Sequence, residues 1–365
     1  NHGARVVDGH GLHLYPGLIN AATNVGLEEI GSLRDTIDLD ELGSYNPQLT
    51  ARVAFNPGSM HIPVVRAAGI TTVLTLPGTG KGAVFAGQGA VMHLDGWTWS
   101  DMSVRPGAVL DMTFPQIPSP AADDGPVGGK AFEELQKEHW KVLQELNDFF
   151  EEARRYQKAK AAGNADFKAD PKLEAMIPVL TGERPLFLRA ARPRAIREAV
   201  TFADKQKVRM ILSGPEEIGD TGSLLASHHI PVILGNTLEL PVHHDDSYDA
   251  RYTLPAELAK AGVKFCFGTF DVQFARNAGF QAAAAAAFGL SPDDALKGVT
   301  INAAEILGVG DELGSIEKGK TADLILTDGD PLEAKTNIKM EFINGKEVDL
   351  RNKQTELYEK YLNRQ

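Results

Sequence analysis

Short apolar runs alternate with amphipathic stretches along most of the chain. The predicted strands, rich in aliphatic and β-branched residues and often bounded by Pro or Gly, are residues 69–77, 185–188, 208–212, 231–234 and 263–267. The predicted helices between them include residues 194–205, 221–227 and 255–261. Strands that are apolar throughout are buried on both faces, as in a parallel sheet covered by helices. We therefore predict an α/β fold, a (β/α)8 barrel of the TIM type.

Three segments interrupt this alternation. Residues 78–89 are rich in glycine, but they lack the Gly-Lys-Ser/Thr ending of a phosphate loop and the third glycine of a dinucleotide fingerprint. We predict a turn-rich loop there. Residues 130–162 carry an apolar stripe at helical spacing and predict a long helix. The alanine run at residues 282–287 predicts a helix packed closely against the barrel.

The two ends of the chain do not follow this alternation of strands and helices. After residue 307, a strand at 322–327 and a hairpin with the Asn344-Gly345 turn indicate a small β module, followed by a terminal helix. We predict a small β-sandwich made of residues 1–14 and 308–365, with the barrel at residues 15–307. The first residues show no signal peptide and resemble the middle of a β element, so we expect the N-terminal part to be incomplete. The compartment stays undetermined, and a secreted or periplasmic location is compatible with this start.

Charge and hydrophobicity exclude several classes of partner. The 37 Lys and Arg residues against 49 Asp and Glu residues give a net charge of −12, which argues against binding to nucleic acid or an anionic membrane surface. The longest uncharged stretch, residues 277–292, is shorter than the ~20 apolar residues that a membrane span needs. We expect a small-molecule substrate or ligand. A homo-oligomer remains open.

Cysteine and histidine usage narrows the chemistry. The single cysteine, Cys266, excludes an internal disulfide and a thiolate zinc cluster. Its neighbours Phe265 and Phe267 indicate a buried packing thiol. Ten histidines leave a histidine–carboxylate metal site as the chemistry to test.

Two groups of motifs resemble the amidohydrolase superfamily, closest to its imidazolonepropionase-like and prolidase-like branch. Near the start, residues 6–11 (VVDGHG) lead into residues 16–21 (PGLINA). Near the end, residues 289–292 (GLSP) and 300–308 (TINAAEILG) are followed by residues 313–324 (LGSIEKGKTADL). The resemblance brackets nearly the whole chain. It implies a metal-dependent (β/α)8 barrel with a β-sandwich from both termini and hydrolysis of C–N bonds.

The resemblance also implies where metal ligands would stand, and this chain has other residues there. The family's His-x-His after the first strand corresponds to Ala22 and Asn24, and its next two histidines correspond to Arg189 and Ser213. Its catalytic aspartate corresponds to Phe270. Asp271, one residue later, could replace that aspartate only through a local shift of the strand. The sequence therefore predicts an altered or absent metal centre.

A relocated metal site has one candidate cluster, residues 243–246, which reads His-His-Asp-Asp after the strand at 231–234. His243 and His244, with Asp271 or Asp249 as a further ligand, could hold a divalent, zinc-like ion. The alternative is a solvated polar loop, because neighbouring side chains rarely converge on one ion without a distant ligand. Both interpretations stay open.

Other polar residues are expected to meet at the barrel mouth. Arg189 could pair with Glu216 or Glu217, or bind an anionic substrate. Glu216 or Glu217 could act as a general base. We assign Asp271, Glu217 and Arg189 as candidate catalytic groups, and we assign as candidate substrate-binding groups Asn24, Ser213, His243 and His244.

These observations leave two functions. The first is an amidohydrolase-type hydrolase of a non-peptide or cyclic C–N bond with an altered or absent metal centre. The second is a catalytically inactive barrel that binds a ligand or acts as a scaffold. Metal content and sensitivity to a chelator distinguish a metal enzyme from either metal-free alternative.

Overall fold

A computed structural model describes residues 6–78, 82–117, 132–163, 167–235, 237–241 and 246–364. The strands are β1 (His13–Pro16), β2 (Leu18–Thr23), β3 (Ile70–Thr75), β4 (Phe85–His93), β5 (Ser103–Thr113), β6 (Leu186–Arg189), β7 (Met210–Ser213), β8 (Val232–Leu234), β9 (Phe265–Phe267), β10 (Leu324–Thr327), β11 (Ile338–Ile343) and β12 (Lys346–Glu347). The helices are α1 (Ala51–Ala54), α2 (His61–Arg66), α3 (Trp99–Met102), α4 (Phe132–Ala161), α5 (Pro171–Leu180), α6 (Pro193–Gln206), α7 (Gly222–Ser227), α8 (Ala250–Lys260), α9 (Ala278–Ala287), α10 (Pro292–Gly298), α11 (Ile301–Ile306) and α12 (Lys353–Leu362).

The larger sheet has eight strands in the order β2 to β9 and forms a nearly closed TIM-type barrel. Seven of its strands are parallel, as the apolar runs predict, but β4 is antiparallel to both β3 and β5. The chain therefore passes from β3 to β5 through an antiparallel strand, so the expectation of eight uniform strand–helix units is wrong here. The predicted loop at residues 78–89 is also wrong from Phe85 onward.

Glycines that look like turn residues serve close packing in β4. A side chain at Gly89 would lie 2.6 Å from Leu76 and 3.0 Å from Val109. Only glycine lets β4 approach its neighbours at this point. Composition alone cannot distinguish this use of glycine from a turn.

Backbone and side-chain hydrogen bonds join β2 to the segment after β9. The amides of Thr269 and Phe270 both donate to the carbonyl of Ala22 at 2.8 Å. The fully buried Asn20 carboxamide donates to Thr269 Oγ1 at 2.9 Å and to the carbonyl of Ala275 at 3.0 Å. These contacts close the barrel where no strand ladder does.

Apolar side chains fill the barrel interior. Those that point inward and are buried include Ile19, Leu74, Val109, Phe187, Ile211, Ile233 and Cys266. Cys266 is a buried packing thiol, as its aromatic neighbours predict, and burial raises its pKa. The interior is a packed core rather than a channel, so any site must lie at the ends of the strands.

A second, four-stranded antiparallel sheet joins both ends of the chain in the order β1-β10-β11-β12. β1 pairs with β10 from His13 opposite Thr327 to Pro16 opposite Leu324.

The long predicted helix is confirmed as α4, with Leu146, Phe150 and Ala153 buried. Within the described ranges, no helix has the length and apolar character needed to cross a membrane.

Candidate functional site

The strand ends bring together residues that are far apart in the sequence. Thr23 ends β2, Arg189 ends β6 and Ser213 ends β7, and Phe270 follows β9. Strand pairing places Thr113 of β5 opposite Arg189, and Arg189 opposite Ser213. Because β5 to β7 are parallel, these side chains lie at one edge of the barrel, the carboxyl-terminal mouth.

An ion pair occupies the centre of this mouth. Arg189 donates from Nε to Asp111 Oδ1 at 3.1 Å and from Nη2 to Asp111 Oδ2 at 2.7 Å. The Asp111 side chain is 0 % exposed and that of Arg189 is 26 % exposed, so the pair is largely shielded from water. Burial lowers the pKa of Arg189, but the charge and hydrogen bonds of Asp111 outweigh this and raise it overall. The guanidinium is held as a cation by two parallel hydrogen bonds.

Two aromatic rings flank this cation. The Arg189 guanidinium carbon lies 5.6 Å from the Phe187 ring centroid and 5.5 Å from that of Phe270, within the range of cation–π attraction. Phe270 has a positive φ of 58°, a region that bulky residues rarely adopt. Gly235 makes room for its ring, since a Cβ there would lie 2.4 Å from it.

The prediction that Arg189 pairs with Glu216 or Glu217 is wrong. Glu216 and Glu217 instead lie 3.9 Å and 3.5 Å from Arg192, and Glu216 is also 3.8 Å from Arg251. The Glu217 side chain is 51 % exposed. The true partner, Asp111, lies 78 residues before Arg189 in the sequence. The signal that could have indicated it is a charged residue within the apolar run that precedes Phe114.

Asn24 and Thr23 line a small cavity beside Arg189. Asn24 donates from Nδ2 to the carbonyl of Leu76 at 2.9 Å, and Thr23 Oγ1 donates to the carbonyl of Asp271 at 2.6 Å. The cavity has a volume of about 140 Å³ and is lined by Thr23, Asn24, Leu76, Gly78, Arg189 and Phe270. This volume is below the ~300–1,000 Å³ of typical ligand pockets.

Ser213 and Asp271 stand beside the cavity rather than in its lining. Ser213 is 1 % exposed, and its hydroxyl has no hydrogen-bond partner among the described residues. Asp271 Oδ1 accepts a hydrogen bond from the amide of Phe274 at 2.7 Å. Burial raises the pKa of Asp271, while hydrogen bonds from the amides of Phe274 and Gln273 lower it less. Asp271 thus combines a local structural role with a tendency to hold a proton.

The residues at this mouth do not suit a metal ion. Ala22 and Phe270 offer no ligand atom, and Arg189 carries a positive charge that repels cations. Across the part of the chain that the structure describes, no group of three or more His, Cys, Asp or Glu side chains is arranged to hold a metal. His243 and His244 lie outside the described residues.

Larger cavities lie away from the ion pair. One of about 490 Å³ lies beside the mouth, lined by residues that include Leu27, Asp38, Leu49 and Pro77. Another of about 660 Å³ lies at the opposite end of the strands, lined by residues that include Arg209, Ile230 and Lys264. The first could extend a ligand site at the mouth, because the amide of Gly78 in the small cavity donates to Leu39, which lines the larger one, at 2.8 Å.

Comparison with known proteins matches this architecture. The model of the Amidohydrolase family matches residues 190–348. The structure of an amidohydrolase from Thermotoga maritima MSB8 is similar over 96 % of this chain and 91 % of that one, with a TM-score of 0.83 and 28 % identity. The family model and this structure together support assigning the chain to the amidohydrolase superfamily.

Short stretches of the chain are similar in sequence to one branch of the superfamily. An imidazolonepropionase from Sphingopyxis alaskensis is 55 % identical over 47 residues, or 13 % of this chain and 12 % of that protein. One from Thermoplasma volcanium is 42 % identical over 74 residues, or 19 % of this chain and 18 % of that protein. The matches therefore span less than a fifth of these relatives. They support a resemblance to the imidazolonepropionase-like branch.

Proposed function

We propose that this amidohydrolase hydrolyses a non-peptide or cyclic C–N bond in a small molecule without the metal centre of its superfamily. The observation that carries the proposal is the Arg189–Asp111 pair, which stands where the resemblance places a metal ligand. A metal ion in such an enzyme polarises the carbonyl of the substrate. A fixed cation in a site shielded from water can stabilise the same developing negative charge.

The geometry supports a binding role for Arg189 in three ways. Its side chain lines the cavity at the mouth. Nε and Nη2 are used by Asp111, whereas Nη1 makes no hydrogen bond to the described residues and can donate to a carbonyl oxygen. Asn24 lines the same cavity and can orient the substrate amide, and Ser213 adds a hydroxyl next to Arg189 in the strand register.

Asp271 is the better of the two candidate bases. Burial raises its pKa, which makes it a stronger base than an exposed carboxylate. Glu217 is more exposed and lies 3.5 Å from Arg192, which favours a role in orienting the mouth loops. We therefore assign proton transfer to Asp271 and electrostatic stabilisation to Arg189.

Metal analysis tests the proposal directly. The protein, purified without chelator, is expected to contain no stoichiometric divalent ion and to keep its activity on a panel of small amides and cyclic ureas when a chelator is added. Finding one or two ions per chain would overturn the metal-free centre. In that case His243→Ala and His244→Ala would test these two residues, with Asp271, as ligands of a zinc-like ion.

The second candidate function is a catalytically inactive barrel that binds a small ligand or acts as a scaffold. The observation that favours it is the cavity at the mouth, which at about 140 Å³ leaves little room for both a substrate and an attacking water. It predicts binding without turnover. Asp271→Asn separates the two functions, since it should abolish hydrolysis in the first and leave ligand binding unchanged in the second.

We further propose that the four-stranded sheet formed by β1 and β10–β12 is one layer of the small β-sandwich that the resemblance implies. Its support is the pairing of β1 with β10, which joins the two ends of the chain. An experimentally determined structure of the protein should show a second β layer facing this sheet. A sheet with no facing layer would contradict the sandwich.

A further inference from the structure

A buried glutamate lies in the terminal sheet. Glu341 is on β11, opposite Ile325 of β10, and is 0 % exposed. Neither of its carboxylate oxygens has a hydrogen-bond partner among the described residues. An ionised carboxylate in such a place is strongly disfavoured, and buried charges are ordinarily paired.

Charged groups from both the sheet and the barrel surround this carboxylate. Arg66 of α2 attracts it, whereas Asp323, just before β10, and Asp95, after β4, repel its ionised form. Asp323 is already engaged, because its Oδ2 lies 3.1 Å from His93 Nε2 and accepts from Thr72 Oγ1 at 3.2 Å. These residues come from β3, β4, α2 and the sheet itself, so the cluster lies at the junction between the two sheets.

Arg66 is committed to other partners. Its Nη1 donates to Asp95 Oδ1 at 2.7 Å and to the carbonyl of Leu94 at 3.1 Å, and its Nη2 donates to the carbonyl of Asp349 at 2.9 Å. Its buried Nε has no partner among the described residues, like both oxygens of Glu341. Nη1 and Nη2 are thus used in the contacts that join α2 to residues 94, 95 and 349. Pairing an ionised Glu341 with the free Nε would require a rearrangement of this cluster, since the two groups are not hydrogen-bonded to each other in the structure.

We propose that Glu341 is a proton-dependent latch between the terminal sheet and the barrel. With its proton, the carboxyl group is neutral and the sheet packs on the barrel. When the proton leaves to solvent, the buried charge must be hydrated or paired. Either change loosens the junction. This proposal does not depend on the catalytic role of the barrel mouth, because the mouth and the Glu341 cluster are formed by different residues.

The direction of the pH dependence follows from the environment of Glu341. Burial raises its pKa well above the ordinary range, Arg66 opposes this, and Asp323 and Asp95 add to it. The folded chain therefore keeps a proton that the unfolded chain loses near pH ~4.3. The stabilisation is complete below that pH and is lost as the pH rises towards the pKa of the folded state. In this window the folded-to-unfolded ratio falls by up to about tenfold per pH unit for one proton.

Urea unfolding of the full chain from mildly acidic to alkaline pH tests the latch. Glu341→Gln keeps the shape of the side chain but cannot ionise, so it should remove most of the loss of stability that the wild type shows as the pH rises. The matched control is Glu333→Gln in the exposed turn before β11. Its free energy of unfolding should fall with pH as steeply as that of the wild type. If the free energy of unfolding falls equally steeply with pH in the wild type and in Glu341→Gln, the proposal is overturned.

Amide hydrogen exchange of the wild type gives a second test that needs no variant. After correction for the intrinsic pH dependence of exchange, β10 and β11 should lose protection with rising pH faster than β6 and β7. Equal loss in the two sheets would contradict a latch at their junction. This measurement decides the question if Glu341→Gln does not fold.

Discussion

At the scale of single residues, the mouth of the barrel depends on the Arg189–Asp111 pair. The sequence identifies Arg189 because it stands at a strand end where the resemblance implies a histidine. It does not identify Asp111, because the pairing depends on β5 and β6 being neighbours and in register, with Thr113 opposite Arg189. The register between β5 and β6 is set by the folded sheet, and no local sequence pattern predicts it.

The pair gives a prediction about stability. Asp111→Asn should lower the free energy of unfolding by about 3–5 kcal/mol, because it leaves the Arg189 cation buried without its counter-charge. The double variant Asp111→Leu with Arg189→Met should recover much of this loss, since apolar groups can replace a buried pair. Urea denaturation of the single and double variants measures both effects.

A surface pair provides the control for this prediction. Arg197 and Asp220 form an ion pair in which the side chains are 48 % and 73 % exposed. Asp220→Asn should therefore hardly change stability, because solvent screens such pairs. If Asp111→Asn lowers the free energy of unfolding no more than Asp220→Asn does, the Arg189 site is more hydrated than the structure indicates. The proposal of a cation shielded from water at the mouth then fails.

At the scale of elements, the sequence predicts strands whose apolar character comes from burial on both faces. β8 and β9 lie within predicted runs, and β6 and β7 each extend one residue beyond theirs, at Arg189 and Ser213. β4 is missed because Gly87 and Gly89 read as turn residues, whereas the fold uses Gly89 where a larger side chain would collide with Leu76. The role of Asn20 is missed for the same kind of reason: this polar residue in an apolar strand gains its role only from the segment after β9, which lies far away in the sequence.

Asn20 gives a prediction at this scale. Asn20→Ala should destabilise the fold by about 2–4 kcal/mol, because it removes the buried hydrogen bonds that Asn20 makes with Thr269 and with the carbonyl of Ala275. The loss should appear as reduced amide protection in β2 and after β9 before other strands are affected. Asn363→Ala, at an exposed helix end, is the control and should change little. Uniform loss of protection across all strands would contradict a local role at the barrel closure.

At the scale of the whole molecule, the fold class follows from the sequence, but the coupling between the two sheets does not. The motifs near both termini predict that the ends meet, and β1 pairs with β10 accordingly. Polar residues of low exposure, including Arg66, Asp323 and Glu341, lie at the junction of this terminal sheet and the barrel, beside apolar contacts such as those of Ile325. Each reads as an ordinary surface residue in the sequence, because only tertiary packing buries it.

Arg66 should therefore control whether the two sheets unfold together. Its side chain is 12 % exposed, and one guanidinium bonds Leu94, Asp95 and Asp349. Arg66→Ala removes these bonds and the cation that lowers the pKa of Glu341. Hydrogen bonds to charged groups contribute ~1.5–3 kcal/mol each, so calorimetry should show the terminal sheet melting before the barrel, in two transitions. Arg351→Ala removes an exposed arginine near the same sheet and should keep one transition. A single transition in Arg66→Ala at the wild-type temperature would show that apolar packing alone couples the two sheets.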